Sequence, residues 1–70
     1  MNRYKVFLSD RATGKLVICD SPQEALIRAV GKRFLRHENI GVKGTNVHFR
    51  VIVDCGKYFS ETIHAYVEIS

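Results

Sequence analysis

One helical segment with a strongly marked start is the feature that most limits how this chain can fold. Ser21 suits the N-cap position, because its hydroxyl can accept a hydrogen bond from a free amide in the first turn. Pro22 then falls at the first helical position, and Glu24 is spaced to complete a capping box with Ser21. Apolar residues recur at helical spacing after this start, which predicts an amphipathic helix over about residues 22–36. Its apolar stripe comprises Leu26, Ile27, Val30 and Phe34, with Ala29 at the edge.

The segments before and after this helix alternate with the period of two that is typical of strands. The alternation predicts strands at about residues 4–9, 15–19, 47–54 and 58–69, with a turn inside each pair. We expect a loop at residues 37–46, because Gly41 and Gly44 interrupt the pattern there. The predicted fold class is therefore α+β, a four-stranded antiparallel sheet in ββαββ order with the helix on one face. At 70 residues, the chain is predicted to be one small domain. The run Leu16 to Cys19 is apolar on both sides, so strand order and the register of the first hairpin stay open.

A single helix covers only one face of such a sheet, so the other face must meet water or a partner. The alternation places five candidate binding residues on this open face, namely Phe7, Arg50, Ile52, His64 and Tyr66. Aromatic rings interleaved with basic side chains are typical of surfaces on which unpaired bases stack. The alternative is a homodimer that buries Phe7, Ile52 and Tyr66 sheet to sheet.

The positive charge is concentrated in one part of the chain. The formal net charge is +4, and the surplus lies between residues 28 and 43. Arg28, Lys32 and Arg36 follow one another at four-residue steps, which predicts a basic ridge on the solvent side of the helix. The complete basic set is Arg28, Lys32, Arg33, Arg36 and Lys43. Such a concentration attracts nucleic acid, acidic protein or anionic lipid, although an ordinary solvated face is the alternative.

The segment at residues 40–47, IGVKGTNV, resembles the I-G-x-x-G-x-x-V/I loop of KH domains. In that family a glycine loop after a helix clamps a nucleic-acid backbone, and a second helix follows. Residues 47–54 alternate as a strand, so a KH domain is not predicted. The pattern still predicts a flexible glycine loop that presents amides and Lys43 beside the basic ridge, with a plain connecting loop as the alternative.

The histidines and cysteines form no recognisable catalytic or metal-binding motif. His48 and His64 share a predicted face, but two histidines without a carboxylate or thiolate make a poor metal site. Cys19 and Cys55 form no CxxC motif, and we expect both to be reduced thiols of a cytoplasmic protein. No apolar run is long enough to cross a membrane. We therefore predict no enzyme activity, metal, cofactor or membrane partner.

The leading functional prediction is a small basic binding module that docks on nucleic acid or a nucleoprotein complex. The five basic residues of the predicted ridge and loop would contact phosphates. In size and charge pattern the chain also resembles the short proteins of bacteriophages and mobile elements, anti-CRISPR proteins among them. That resemblance implies the alternative function, an accessory or inhibitor protein that binds a host protein complex, without assigning roles to residues. A homodimer through the open sheet face is compatible with both.

Overall fold

The computed structural model describes residues 1–69 and contains one helix and a five-stranded antiparallel sheet. The elements are β1 (Asn2–Leu8), β2 (Lys15–Cys19), α1 (Pro22–Val30), β3 (Phe34–Lys43), β4 (Asn46–Gly56) and β5 (Phe59–Ile69), with a short 3-10 turn at Gly31–Arg33. The strand order is β2-β1-β5-β4-β3, so the first and last strands are neighbours inside the sheet. The α+β class is confirmed, but the four-strand prediction is wrong by one strand. Within residues 1–69, no helix has the length and apolar character needed to cross a membrane.

The start of the helix follows from its capping residues. The Ser21 hydroxyl accepts a hydrogen bond from the Glu24 backbone amide at 3.2 Å, and Pro22 occupies the first turn. The Glu24 carboxylate accepts from the backbone amide of Asp20 at 3.3 Å rather than from that of Ser21. The N-cap is therefore confirmed, while the second half of the capping box is shifted by one residue.

The end of the helix lies six residues earlier than the sequence pattern predicts. Gly31 has φ 77° and ψ −145°, a conformation that residues with a side chain rarely adopt, and it stops the helix after Val30. The chain then pairs with β4 from Phe34 opposite Val53 to Lys43 opposite Asn46. Both the predicted helix end at Arg36 and the predicted loop at residues 37–46 are wrong, because Phe34–Lys43 forms β3 and only Gly44 and Thr45 lie between β3 and β4.

The segment after residue 30 is less stable as a helix than as a strand. A longer helix would carry Gly31 in its interior and three like charges at four-residue steps, both of which destabilise a helix. As a strand, the same segment pairs with the outer backbone groups of β4 over most of its length. Tertiary pairing therefore overrides the local helical pattern after residue 30.

The hydrophobic core lies between α1 and one face of the sheet. The helix packs on β2, β1 and β5 and buries Ala25, Leu26, Ala29 and Val30. The 3-10 turn and Phe34 extend this cover toward β4, where the His37 ring lies 5.7 Å from the ring of Phe49. Ile27, predicted to be part of the stripe, is 40% exposed. The shorter helix thus covers one side of the sheet, and the other side is left open.

The register of the hairpin formed by β1 and β2 shows which side of β2 faces the core. Lys5 pairs with Leu16 and Tyr4 pairs with Val17. Since Tyr4 and Val17 are both buried, alternation places Leu16 and Ile18 on the open face, where each is about half exposed. The open face is therefore more apolar at β2 than the sequence alone indicated.

Candidate nucleic-acid interface

The open face of the sheet brings together the five residues that the strand alternation assigned to it. Phe7 pairs with Tyr66, which pairs in turn with His48, so these three side chains form a row across β1, β5 and β4. Arg50 lies opposite His64, and Ile52 lies opposite Thr62 on the same side. Directly opposed residues of antiparallel strands share a face, so the placement follows from the register.

The aromatic side chains of this row pack mainly on one another. The Phe7 and Tyr66 rings stack with centroids 4.7 Å apart, and the Tyr66 and His48 rings are 5.5 Å apart. Gly14 lies against the Phe7 ring at the β1 end of the row, since a Cβ at this position would lie 2.8 Å from Cε1 of Phe7. The ring faces are therefore largely occupied, and the row presents its edges outward. Stacking of an added base would be confined to the exposed ring of His64.

Two residues predicted to belong to the helix ridge and glycine loop lie instead on this open face. Arg36 pairs with Ile52, and Lys43 lies at the end of β3 opposite Asn46. Arg50 makes an exposed ion pair with Glu38 at 3.8 Å. A shallow depression of about 350 Å³ is lined by Arg36, His37, Glu38 and Arg50. Lys5 adds a fourth cation, with its Nζ 5.5 Å from the ring centre of Phe7. Basic side chains thus lie on both sides of the aromatic row.

Two other residues of the predicted basic set, Arg28 and Arg33, lie on the helix side and are bonded to acidic partners there. Arg28 donates to the Glu24 carboxylate at 2.6 Å and to the carbonyl of Ile18 at 3.3 Å. Arg33 donates both terminal nitrogens to the Asp10 carboxylate, at 2.6 and 3.3 Å. This hydrogen-bonded contact with the guanidinium lowers the pKa of Asp10. Because α1 ends at Val30, Lys32 lies in the 3-10 turn and Arg36 lies on β3, so the predicted ridge of Arg28, Lys32 and Arg36 along one helix face does not form.

The KH-like segment forms a tight hairpin between β3 and β4. Lys43 pairs with Asn46, so Gly44 and Thr45 make a two-residue turn, and Gly44 has a φ of 62°. A glycine in the first of two turn positions is typical of a type II′ hairpin. The amide of Gly41 donates to the side chain of Asn39 at 2.9 Å. The predicted flexible loop with free amides is wrong, and only Lys43 remains as a candidate contact.

Two of the three histidine side chains lie close together on the open face. Nδ1 of His48 lies 3.0 Å from Nε2 of His64 on the open face. Within residues 1–69, no group of three or more histidine, cysteine or acidic side chains is arranged to hold a metal ion. Desolvation and the nearby Glu61 carboxylate raise the pKa of the exposed Cys55 thiol. A thiol with a raised pKa is a weak nucleophile at neutral pH.

Sequence reasoning missed an apolar group at the tip of the β4–β5 hairpin. Tyr58 is 97% exposed, with Phe59 beside it and Leu35 on β3 lining the same depression. Tyr58 has a φ of 64°, which is uncommon for a residue with a side chain. The signal in the sequence is Glu61, which interrupts the apolar side of β5 and indicates either a bulge or a strand end that projects beyond the helix.

Comparison with known proteins adds no relative to this description. No protein-family model matches the chain, and neither a curated protein nor a solved structure shows a significant match.

Proposed function

We propose that this chain is a non-enzymatic module that binds single-stranded nucleic acid on the open face of its sheet. The observation that supports the proposal is the row of Phe7, Tyr66 and His48 with Lys5 on one side and Arg36 and Arg50 on the other. Phosphates would contact the cations, while bases would contact the ring edges and the exposed imidazole of His64.

Charge placement supports the open face over the helix side. Arg28 and Arg33 already donate to carboxylates at 2.6 Å, so a phosphate would have to displace those partners. The ion pair of Arg50 with Glu38 is longer, at 3.8 Å, and both of its side chains are exposed. Exposed pairs of this kind are worth little, so Arg50 can exchange Glu38 for a phosphate at small cost.

The test compares two double charge reversals that change the net charge equally. One variant carries Arg36→Glu and Arg50→Glu on the open face, and the matched control carries Arg28→Glu and Lys32→Glu on the helix side. Binding of labelled single-stranded DNA and RNA is measured by fluorescence anisotropy at low and near-physiological salt. We expect roughly a tenfold or greater loss of affinity in the open-face variant and a much smaller loss in the control.

Salt dependence provides a second readout of the same contacts. If Arg36, Lys43 and Arg50 each neutralise one phosphate, the logarithm of the affinity falls with the logarithm of salt at a slope of about −2. The open-face variant should show a flatter slope. Equal losses in both double variants, or no binding at low salt, would contradict the proposal.

A protein-directed role is the second candidate, supported by the exposed tip of Tyr58, Phe59 and Leu35. Aromatic side chains that project from a surface are typical anchors of protein interfaces. This is the accessory or inhibitor function of the kind found in phage-type proteins, acting on a host complex. A Tyr58→Ser and Phe59→Ser variant would abolish capture of a specific host protein while leaving oligonucleotide binding unchanged.

A further inference from the structure

We propose that His48 and His64 form a binding site for a divalent transition-metal ion on the open face. The two imidazoles come from the neighbouring strands β4 and β5, and Nδ1 of His48 lies 3.0 Å from Nε2 of His64. Neutral imidazole nitrogens are the commonest metal ligands in proteins. The sequence placed both residues on one face, but only the structure brings two ligand atoms within reach of a single ion.

The distance between the two nitrogens indicates which ions fit best. Two metal–nitrogen bonds of about 2.0–2.1 Å that end 3.0 Å apart enclose an angle of roughly 91–97°. A tetrahedral ion such as Zn²⁺ would require the nitrogens to lie about 3.3–3.4 Å apart for the same bond length. Angles near 90° are those of the tetragonal and square-planar sites that Cu²⁺ and Ni²⁺ prefer. The pair is therefore better suited to Ni²⁺ or Cu²⁺ than to Zn²⁺.

The surroundings hold the two rings in place. The ring centroids of His48 and Tyr66 lie 5.5 Å apart. The backbone carbonyl of His64 accepts a hydrogen bond from the Ser9 amide, and the backbone amide of His64 donates to the Ser9 hydroxyl. An ion would replace the hydrogen bond between the two rings. The imidazole that donates this hydrogen bond would change tautomer, so that each neutral ring carries its one proton on the nitrogen that faces away from the ion.

One neighbouring cation opposes the site and provides a test of it. Lys43 lines the same depression as His48 and His64. A positive charge there weakens binding of a divalent ion by Coulomb repulsion. Replacing Lys43 by glutamine should therefore tighten binding of the metal, whereas the same change weakens binding of nucleic acid in the proposed function.

The experiment is a calorimetric titration of the chain alone with Ni²⁺ and with Zn²⁺, independent of nucleic acid. Ni²⁺ avoids oxidation of Cys55. We expect Ni²⁺ to bind more tightly than Zn²⁺ and His64→Asn to lose roughly a hundredfold in Ni²⁺ affinity, since even the loss of a supporting residue costs about 10–100-fold. The matched control is His37→Asn, which removes the third histidine from the other side of β3.

Three results would overturn the proposal. They are Ni²⁺ binding that is unchanged in His64→Asn, an equal loss in His37→Asn, and an absence of binding by the unaltered chain. A His48→Asn variant repeats the test at the second ligand. Thermal unfolding of each variant without metal shows that the loss does not come from unfolding.

Discussion

The two faces of β4 differ as strongly as any two regions of this molecule. Val47, Phe49, Val51 and Val53 are at most 8% exposed and contribute to the core. Their immediate neighbours His48, Arg50 and Ile52 are half-buried or exposed and belong to the open face. Along β4, a side chain that stabilises the core is therefore followed directly by one that is available for binding. Substitutions on the buried face of β4 should therefore alter stability, and substitutions on the open face should alter binding, independently of each other.

The largest expected effect lies on the covered face. Phe49→Ala removes a fully buried ring and should lower the free energy of unfolding by about 3–5 kcal/mol, which approaches the whole stability of so small a domain. The adjacent Arg50→Ala should change it by less than about 0.5 kcal/mol. Urea unfolding of both variants checks the contrast, and similar losses at the two positions would remove the distinction between the faces.

The next effect concerns Gly31, where the chain leaves the helix to cover the sheet. Gly31→Ala should cost about 1–3 kcal/mol, because alanine does not tolerate the positive φ of this position. No atom would lie within 4 Å of the new Cβ, so strain and not a clash is the cause. Thermal unfolding measures the loss. A stabilised Gly31→Ala protein with higher helix content by circular dichroism would instead support the longer helix predicted from the sequence.

A smaller effect follows from the ion pair between Asp10 and Arg33, which ties the β1–β2 turn to the 3-10 turn. Its hydrogen bond lowers the pKa of Asp10, so its stabilisation is present above the ordinary pKa and is lost as the pH falls through the lowered one. Asp10→Asn should reduce stability at neutral pH by up to about 1 kcal/mol. The difference from the unaltered chain should fade below about pH 4. A difference that is constant from pH 7 to pH 2 would contradict this role.

The smallest effect on stability is expected for the open-face cations. Arg36→Gln and Lys43→Gln should each alter the free energy of unfolding by less than about 0.5 kcal/mol, because both side chains are exposed. The same variants should weaken oligonucleotide binding. Stability losses of the size seen at Gly31 would show that these residues support the fold and would weaken the separation between the two faces.

The sequence predicted the parts of the fold that depend on local chemistry. Ser21 and Pro22 placed the helix start, and alternation placed both faces of β4 and, apart from Glu61, both faces of β5. The prediction from the sequence is wrong after Val30. The helical pattern continues to Arg36, but long-range pairing with β4 makes this segment a strand. The candidate surface changed for the same reason, since Arg36 and Lys43 moved from the predicted ridge and loop to the open face. The 3.0 Å approach of His48 to His64 depends on cross-strand geometry that no local pattern encodes.

Nucleic-acid binding on the open face can be observed residue by residue, by NMR of side chains during titration with a short single-stranded oligonucleotide. We expect the ring resonances of Phe7, His64 and Tyr66 to shift progressively with added oligonucleotide. Methyl resonances of Leu26 and Val30, buried on the helix side, should stay in place. Shifts centred on α1, with unchanged resonances of the open-face rings, would contradict nucleic-acid binding on the open face.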